Sequence, residues 1–181
     1  MSIFSVVILV LAGLIIGALA VLIGLASTKP DVFRVVRKIT IKASPEKIHP
    51  YLSDLKRGME WSPWEKKDPQ MKKTFSGPEQ GVGSAYEWDG NKEIGAGRLE
   101  ILSIAPEKIV MKLEFFRPMK GVNTVEYTLV PLGEYTEVSW AMFGPTPFIG
   151  KIFSVIIDCD AMVGTEFESG LSTLKTLCER P

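Results

Sequence analysis

From Ile3 to Ala26 the chain is almost entirely Ile, Leu, Val, Ala and Gly, and Lys29 is its first charged side chain. A bilayer core of roughly 30 Å needs about 20 apolar residues at 1.5 Å rise each. The run therefore predicts one membrane-spanning helix, an anchor over residues 1–28, with residues 29–34 as a linker in which Pro30 ends the helix. Beyond it the pattern changes. Phe33 to Lys42 reads as a strand, with Val35, Ile39 and Ile41 on one face and Arg37 interrupting that face. Ser44-Pro45-Glu46 then opens a short helix, with a capping hydroxyl, a proline tolerated at the first position and a carboxylate suited to the positive end of the dipole. This helix is expected to end over Asp54 to Gly58. Trp61-Ser62-Pro63-Trp64-Glu65 predicts irregular backbone or one helical turn, with its rings packed into something.

From Met71 to Phe143 apolar and polar residues alternate, and turn signals punctuate the alternation. Tyr86 and Trp88 oppose Glu87, and Leu99 and Ile101 oppose Arg98 and Glu100. Ile109, Met111, Leu113 and Phe115 alternate with Lys112 and Glu114; Val125, Tyr127 and Leu129 oppose Glu126; and Val138, Trp140 and Met142 share a face. Asp89-Gly90-Asn91, Ala105-Pro106-Glu107 and Leu132-Gly133-Glu134 mark hairpin turns. Short connections make successive strands antiparallel, so the segment predicts a meander with one covered face and one wet face. Phe148 to Ile157 predicts a short apolar helix, and Asp158 to Glu179 a longer one. In the latter, Val163, Phe167, Leu171, Leu174 and Cys178 recur at helical spacing, making it the natural cover for the sheet.

Composition adds exclusions. Lys plus Arg equals Asp plus Glu at 21 each, so nothing suggests the basic excess of a nucleic-acid binder. Nineteen residues of helix would separate Cys159 from Cys178 by roughly 28 Å, too far for a disulfide, and both read as buried apolar fillers. There is one histidine and no metal-ligand spacing, so neither a metal nor a cofactor is expected. The N-terminal run has no leading Lys or Arg and exceeds a signal-peptide core, which favours an uncleaved anchor despite a cleavage-like Gly24-Leu25-Ala26. Lys29, Arg34, Arg37 and Lys38 all follow the span, placing the rest of the chain in the cytoplasm of a single-pass cell-membrane protein. Gly13 and Gly17 form a G-x-x-x-G pair through which a homodimer could pack.

The order strand, small helices, antiparallel meander, long C-terminal helix resembles the helix-grip fold. The wording of the chain resembles the START-like (SRPBCC) superfamily, in particular its polyketide cyclase/dehydrase and lipid-transport branch. The resemblance is carried by Ile41-Lys42-Ala43-Ser44-Pro45-Glu46-Lys47-Ile48, Trp61-Ser62-Pro63-Trp64 and Met71-Lys72-Lys73-Thr74-Phe75-Ser76-Gly77. It continues through Gly81-Val82-Gly83-Ser84-Ala85-Tyr86-Glu87-Trp88, Gly95-Ala96-Gly97-Arg98-Leu99-Glu100-Ile101 and Phe167-Glu168-Ser169-Gly170-Leu171. It implies an α+β domain over residues 35–181 whose curved sheet grips the long helix and encloses a hydrophobic cavity. The alternation predicts the sheet and its cover; the cavity is implied by the resemblance alone.

The residues expected to line that cavity are Trp61, Trp64, Tyr86, Trp88, Leu99, Ile101, Met111, Leu113, Phe115, Val138, Trp140 and Met142, faced by Met162, Val163 and Phe167. The same set reads equally as ordinary core. The first functional expectation is a membrane-anchored module holding a hydrophobic small molecule or lipid. A second is a cyclase- or dehydratase-type enzyme assisted by Tyr86 or Asp158, although no nucleophile motif, phosphate loop or catalytic spacing is present. A third is a membrane-protein interaction domain with a vestigial cavity. His49, before Pro50, reads as a surface or capping residue.

Overall fold

The computed structural model describes residues 3–180, so Met1, Ser2 and Pro181, the ends of the expected anchor and domain, lie outside the described residues. In chain order the elements are α1 (Ile3–Ser27), β1 (Val32–Ile41), α2 (Pro45–Ser53), α3 (Leu55–Gly58), α4 (Trp64–Lys67), β2 (Lys72–Ser76) and β3 (Ala85–Asp89). There follow β4 (Ala96–Ala105), β5 (Lys108–Arg117), β6 (Gly121–Leu132), β7 (Tyr135–Pro145), α5 (Phe148–Ile156) and α6 (Cys159–Cys178). They form two compact units, Met1–Phe33 with Pro145–Cys159, and Arg34–Gly144 with Asp160–Pro181.

In the first unit α1 is long and apolar enough to cross a membrane, with mean hydropathy 3.2 over its best window. Its glycine face is open: at Gly13, Gly17 and Gly24 a β-carbon would meet nothing within 4 Å. α5 belongs to the same unit and packs on α1.

The second unit is built on a seven-stranded antiparallel sheet in the order β1-β7-β6-β5-β4-β3-β2. Consecutive hairpins from β2 to β7 give the meander, and β1 closes on β7. The turn after β3 is longer than Asp89-Gly90-Asn91 predicts. Residues 90–95 form a closed loop in which Gly90 N–H donates to Gly95 O, and the Asn91 side-chain oxygen accepts from the N–H groups of Glu93 and Ile94. The small helical segment also departs from expectation. Asp54 ends α2 but then caps α3, its carboxylate accepting from Lys56 N–H at 2.8 Å and Arg57 N–H at 3.4 Å. One acidic residue both stops a helix and starts the next.

α6 covers one face of the sheet and buries Gly164, Phe167, Gly170, Leu171, Leu174 and Cys178. Arg37, the charge that breaks the apolar face of β1, spans α6 at this point. It donates to Glu168 at 2.7 Å and to Asp160 at 2.9 Å. A β-carbon at Gly164 would stand 1.9 Å from the guanidinium, so only glycine lets that side chain lie across the helix. The hydrogen bond from Arg37 holds the Asp160 carboxyl below its ordinary value of 3.8. A carboxylate so lowered contributes stability above 3.8 and loses it as pH falls through the lowered folded value. Asp160→Asn is therefore expected to lower the urea midpoint slightly at neutral pH, since exposed pairs are screened, and the gap to wild type should close below pH 3.8. A gap that persists in acid would show that Asp160 acts by something other than its charge.

His49 is half-buried rather than simply superficial. Its Nε2–H donates to the Ala105 carbonyl at 3.1 Å, pinning α2 to the β4–β5 turn, while Nδ1 lies 3.2 Å from Ser53 Oγ. Cys178 is fully buried and burial pushes its thiol up to about 11. Cys159 departs from the expectation for both cysteines: it stands at the first residue of α6 and is only partly covered.

Candidate ligand cavity

One row of inward side chains crosses the sheet in register. Tyr86 on β3 pairs with Leu99 on β4, and Leu99 pairs with Leu113 on β5. Met111 on β5 pairs with Val125 on β6, Val125 pairs with Met142 on β7, and Tyr127 pairs with Trp140. Period-two alternation puts every member on the same face. Between this row, α2–α4 and α6 lies a cavity of about 160 Å³. Trp88 sits on β3 opposite Gly97, where a β-carbon would come within 2.4 Å of the indole. The missing side chain at Gly97 is what seats the ring.

The aromatic wall is continuous. Trp140 stacks on Phe167 with centroids 3.9 Å apart and planes 7° from parallel, and meets Trp61 edge-on at 5.1 Å. Trp61 reaches Tyr127 at 5.9 Å and fixes its own position by donating Nε1–H to Tyr51 O at 2.9 Å. The two tryptophans of the Trp-Pro segment are thus held by packing: Trp61 is buried and Trp64, at the start of α4, tilts toward Trp140 at 6.4 Å. Gly170 lets α6 close onto this cluster, since a β-carbon there would meet Trp140 at 2.9 Å and Pro63 at 3.0 Å.

Twelve of the fifteen residues expected on the wall line it: Trp61, Trp64, Tyr86, Trp88, Leu99, Met111, Leu113, Phe115, Trp140, Met142, Val163 and Phe167. Three do not. Ile101 and Val138 have the right strand parity but are fully buried in the core away from the void, because parity fixes a face and not a depth along the strand. Met162 is 58% exposed, since neighbours on a helix diverge by about 100° and Val163 takes the inward direction. Tyr51, Leu55 and Met59 from α2, α3 and the residue after it, and Ile94 from the loop after β3, also line the cavity, as do Met71, Val125 and Tyr127. The first four lie outside the strand alternation, which therefore could not point to them.

The wall carries little charge. Among the described residues no lysine or arginine lines it, and its one acid, Asp54, is engaged by α3 and by Gln80 Nε2 at 2.8 Å. Burial holds the phenols of Tyr86 and Tyr127 far above their ordinary range, with the Glu65 carboxylate raising Tyr86 further and Tyr86 raising Tyr127. Both therefore remain neutral donors. Glu65 itself pairs with Lys73. The indole nitrogens of Trp88 and Trp140 are buried without a hydrogen-bond partner among the described residues, an arrangement that costs about 1–3 kcal/mol per group. Asp158, the other residue weighed for catalysis, is exposed.

The fold is that of a wide set of solved structures. A protein of Chromobacterium violaceum is similar at 18% identity, with a TM-score of 0.58 over 84% of this chain and 100% of its own. Major latex-like protein 151 of Panax ginseng is similar at 12% identity and TM-score 0.58, over 83% and 100%. The di-domain ARO/CYC protein BexL of the BE-7585A biosynthetic pathway is similar at 14% and 0.59, over 88% of this chain and 54% of that one. No curated protein matches by sequence. These likenesses establish the START-like helix-grip fold. The family model for polyketide cyclase / dehydrase and lipid transport matches residues 32–179, and the chain belongs to that family.

Proposed function

We propose that the chain is a membrane-tethered binding module that holds a small, uncharged apolar molecule in the cavity of residues 35–181, behind an anchor over residues 1–28 and a linker over 29–34. The observation that carries this reading is an aromatic-walled void of about 160 Å³ without a cationic side chain. Ligand pockets are mostly apolar with few polar groups. Burying an ionised group here would leave its charge without a counter-charge, at a cost of several kcal/mol, which argues against a phosphate or carboxylate head in the interior.

Size narrows the ligand. An engineered apolar cavity of about 150 Å³ takes benzene, so this one suits a single ring or a short branched chain, not a two-chain lipid. A cyclase or dehydratase reading needs a general base on the wall. Tyr86 and Tyr127 stay protonated and Asp54 is occupied, which favours binding over catalysis. We place the domain in the cytoplasm on the charges that follow α1, and proteolysis of the domain in intact cells would overturn that placement.

All four tryptophans of the chain line the cavity, so intrinsic fluorescence reports directly on its occupancy. Bromobenzene titrated into the full chain in phosphatidylcholine nanodiscs should quench it saturably. Quenching that rises linearly without limit, as for free tryptophan, would sink the binding reading.

A further inference from the structure

We propose that α5 is a second membrane contact: a non-spanning helix in the bilayer interface whose apolar face is set among the lipid chains beside α1. The proposal rests on reading α1 as a span. Ile149, Phe153 and Ile156 stand at positions i, i+4 and i+7, one face of the helix. They are 55%, 42% and 70% exposed, with Phe148 beside them at 48%. No residue of α5 is buried. A continuous apolar face of this kind marks an interaction surface.

The occupant is set by what α5 is fastened to. Thr146 N–H donates to Asp31 O at 2.7 Å, and Lys151 Nζ pairs with Asp31 Oδ1 at 2.6 Å. Lys151 is the helix's one charge, and its side chain is only 12% exposed. Asp31 follows the last residue of α1 by four positions, at most about 14 Å of chain. Both bonds therefore hold the start of α5 near the end of the span, and α5 also packs on α1 directly. The headgroup region adds about 5–7 Å on each side of the hydrocarbon core. Interfacial helices bury their apolar face about 5–10 Å into that boundary. A helix clipped to the end of a span lies at this depth, and the charge that would oppose immersion is already paired away from the apolar face.

Spin-label accessibility in the full chain, reconstituted in phosphatidylcholine vesicles, tests this. In a Cys159→Ser background, nitroxides are placed singly at Ile149→Cys, Phe153→Cys and Ile156→Cys. Leu14→Cys in α1 serves as the reference for the span, and the exposed Ser172→Cys in α6 as the reference for water. Cys178 is buried and stays unlabelled. At the three α5 sites, collisions with oxygen should exceed those with a water-soluble nickel chelate severalfold, as at Leu14, whereas Ser172 should show the reverse. If the α5 sites behave like Ser172 while Leu14 favours oxygen, α5 is not in the bilayer and the anchor reading survives. If Leu14 also favours nickel, both fail. Spin–spin broadening confined to α5 would mean that a second copy covers the face, which also overturns the proposal.

Discussion

Trp140→Ala should cost the domain about 3–5 kcal/mol, the range for removing a large aromatic from a core. The side chain is 8% exposed, stacks on Phe167 of α6 and meets both Trp61 and Tyr127. It is the one ring that joins sheet, long helix and Trp-Pro segment. Against a total stability of about 5–15 kcal/mol, the loss should move the urea midpoint of the detergent-solubilised chain sharply. Trp140→Phe is the informative partner. It keeps a ring against Phe167 and deletes an indole N–H that has no partner, so relief of that unmet donor, about 1–3 kcal/mol, offsets part of the lost area. About three heavy atoms lost at ~0.8 kcal/mol each, set against that relief, should leave the phenylalanine variant within about 1.5 kcal/mol of wild type. If alanine costs less than about 1 kcal/mol, the stack does not hold α6 to the sheet, and the energetic account of the wall is wrong.

The strands were legible because each carries an apolar row opposite a charged one, and the register then aligns those rows without further instruction: Tyr86 with Leu99, Leu99 with Leu113. The long helix was legible for the same reason at a different period. The helical edge of the cavity was harder to read. Asp54 carries a stop signal and a start signal in one side chain, so α3 merged with the end of α2 in the sequence and Leu55 and Met59 went unassigned. The loop after β3 follows Asn91 side-chain bonding rather than a two-residue turn, which is how Ile94 reaches the wall. Arg37 looked like a flaw in an apolar face. It is a clamp across α6, and the clue was Gly164, whose purpose depends on a contact 127 residues away in sequence.

Filling the cavity from its own wall should abolish binding and leave the fold intact. Leu99 and Leu113 face each other across β4 and β5, and both line the void. Leu99→Phe with Leu113→Phe adds about six heavy atoms, the bulk of a benzene ring, and displacing six methylene-sized groups at ~0.8 kcal/mol each forfeits about 5 kcal/mol of ligand affinity. That is more than a thousandfold, and saturable bromobenzene quenching should disappear. Stability discriminates the two readings of these residues. If they bound a real void, the new atoms occupy empty space and cavity-filling raises stability by about 0.5–2 kcal/mol. If they belong to a closely packed core, the same atoms overpack it and cost about 1–3 kcal/mol. The two outcomes differ in sign, so one denaturation curve on the double variant separates a ligand cavity from a core that merely looks like one.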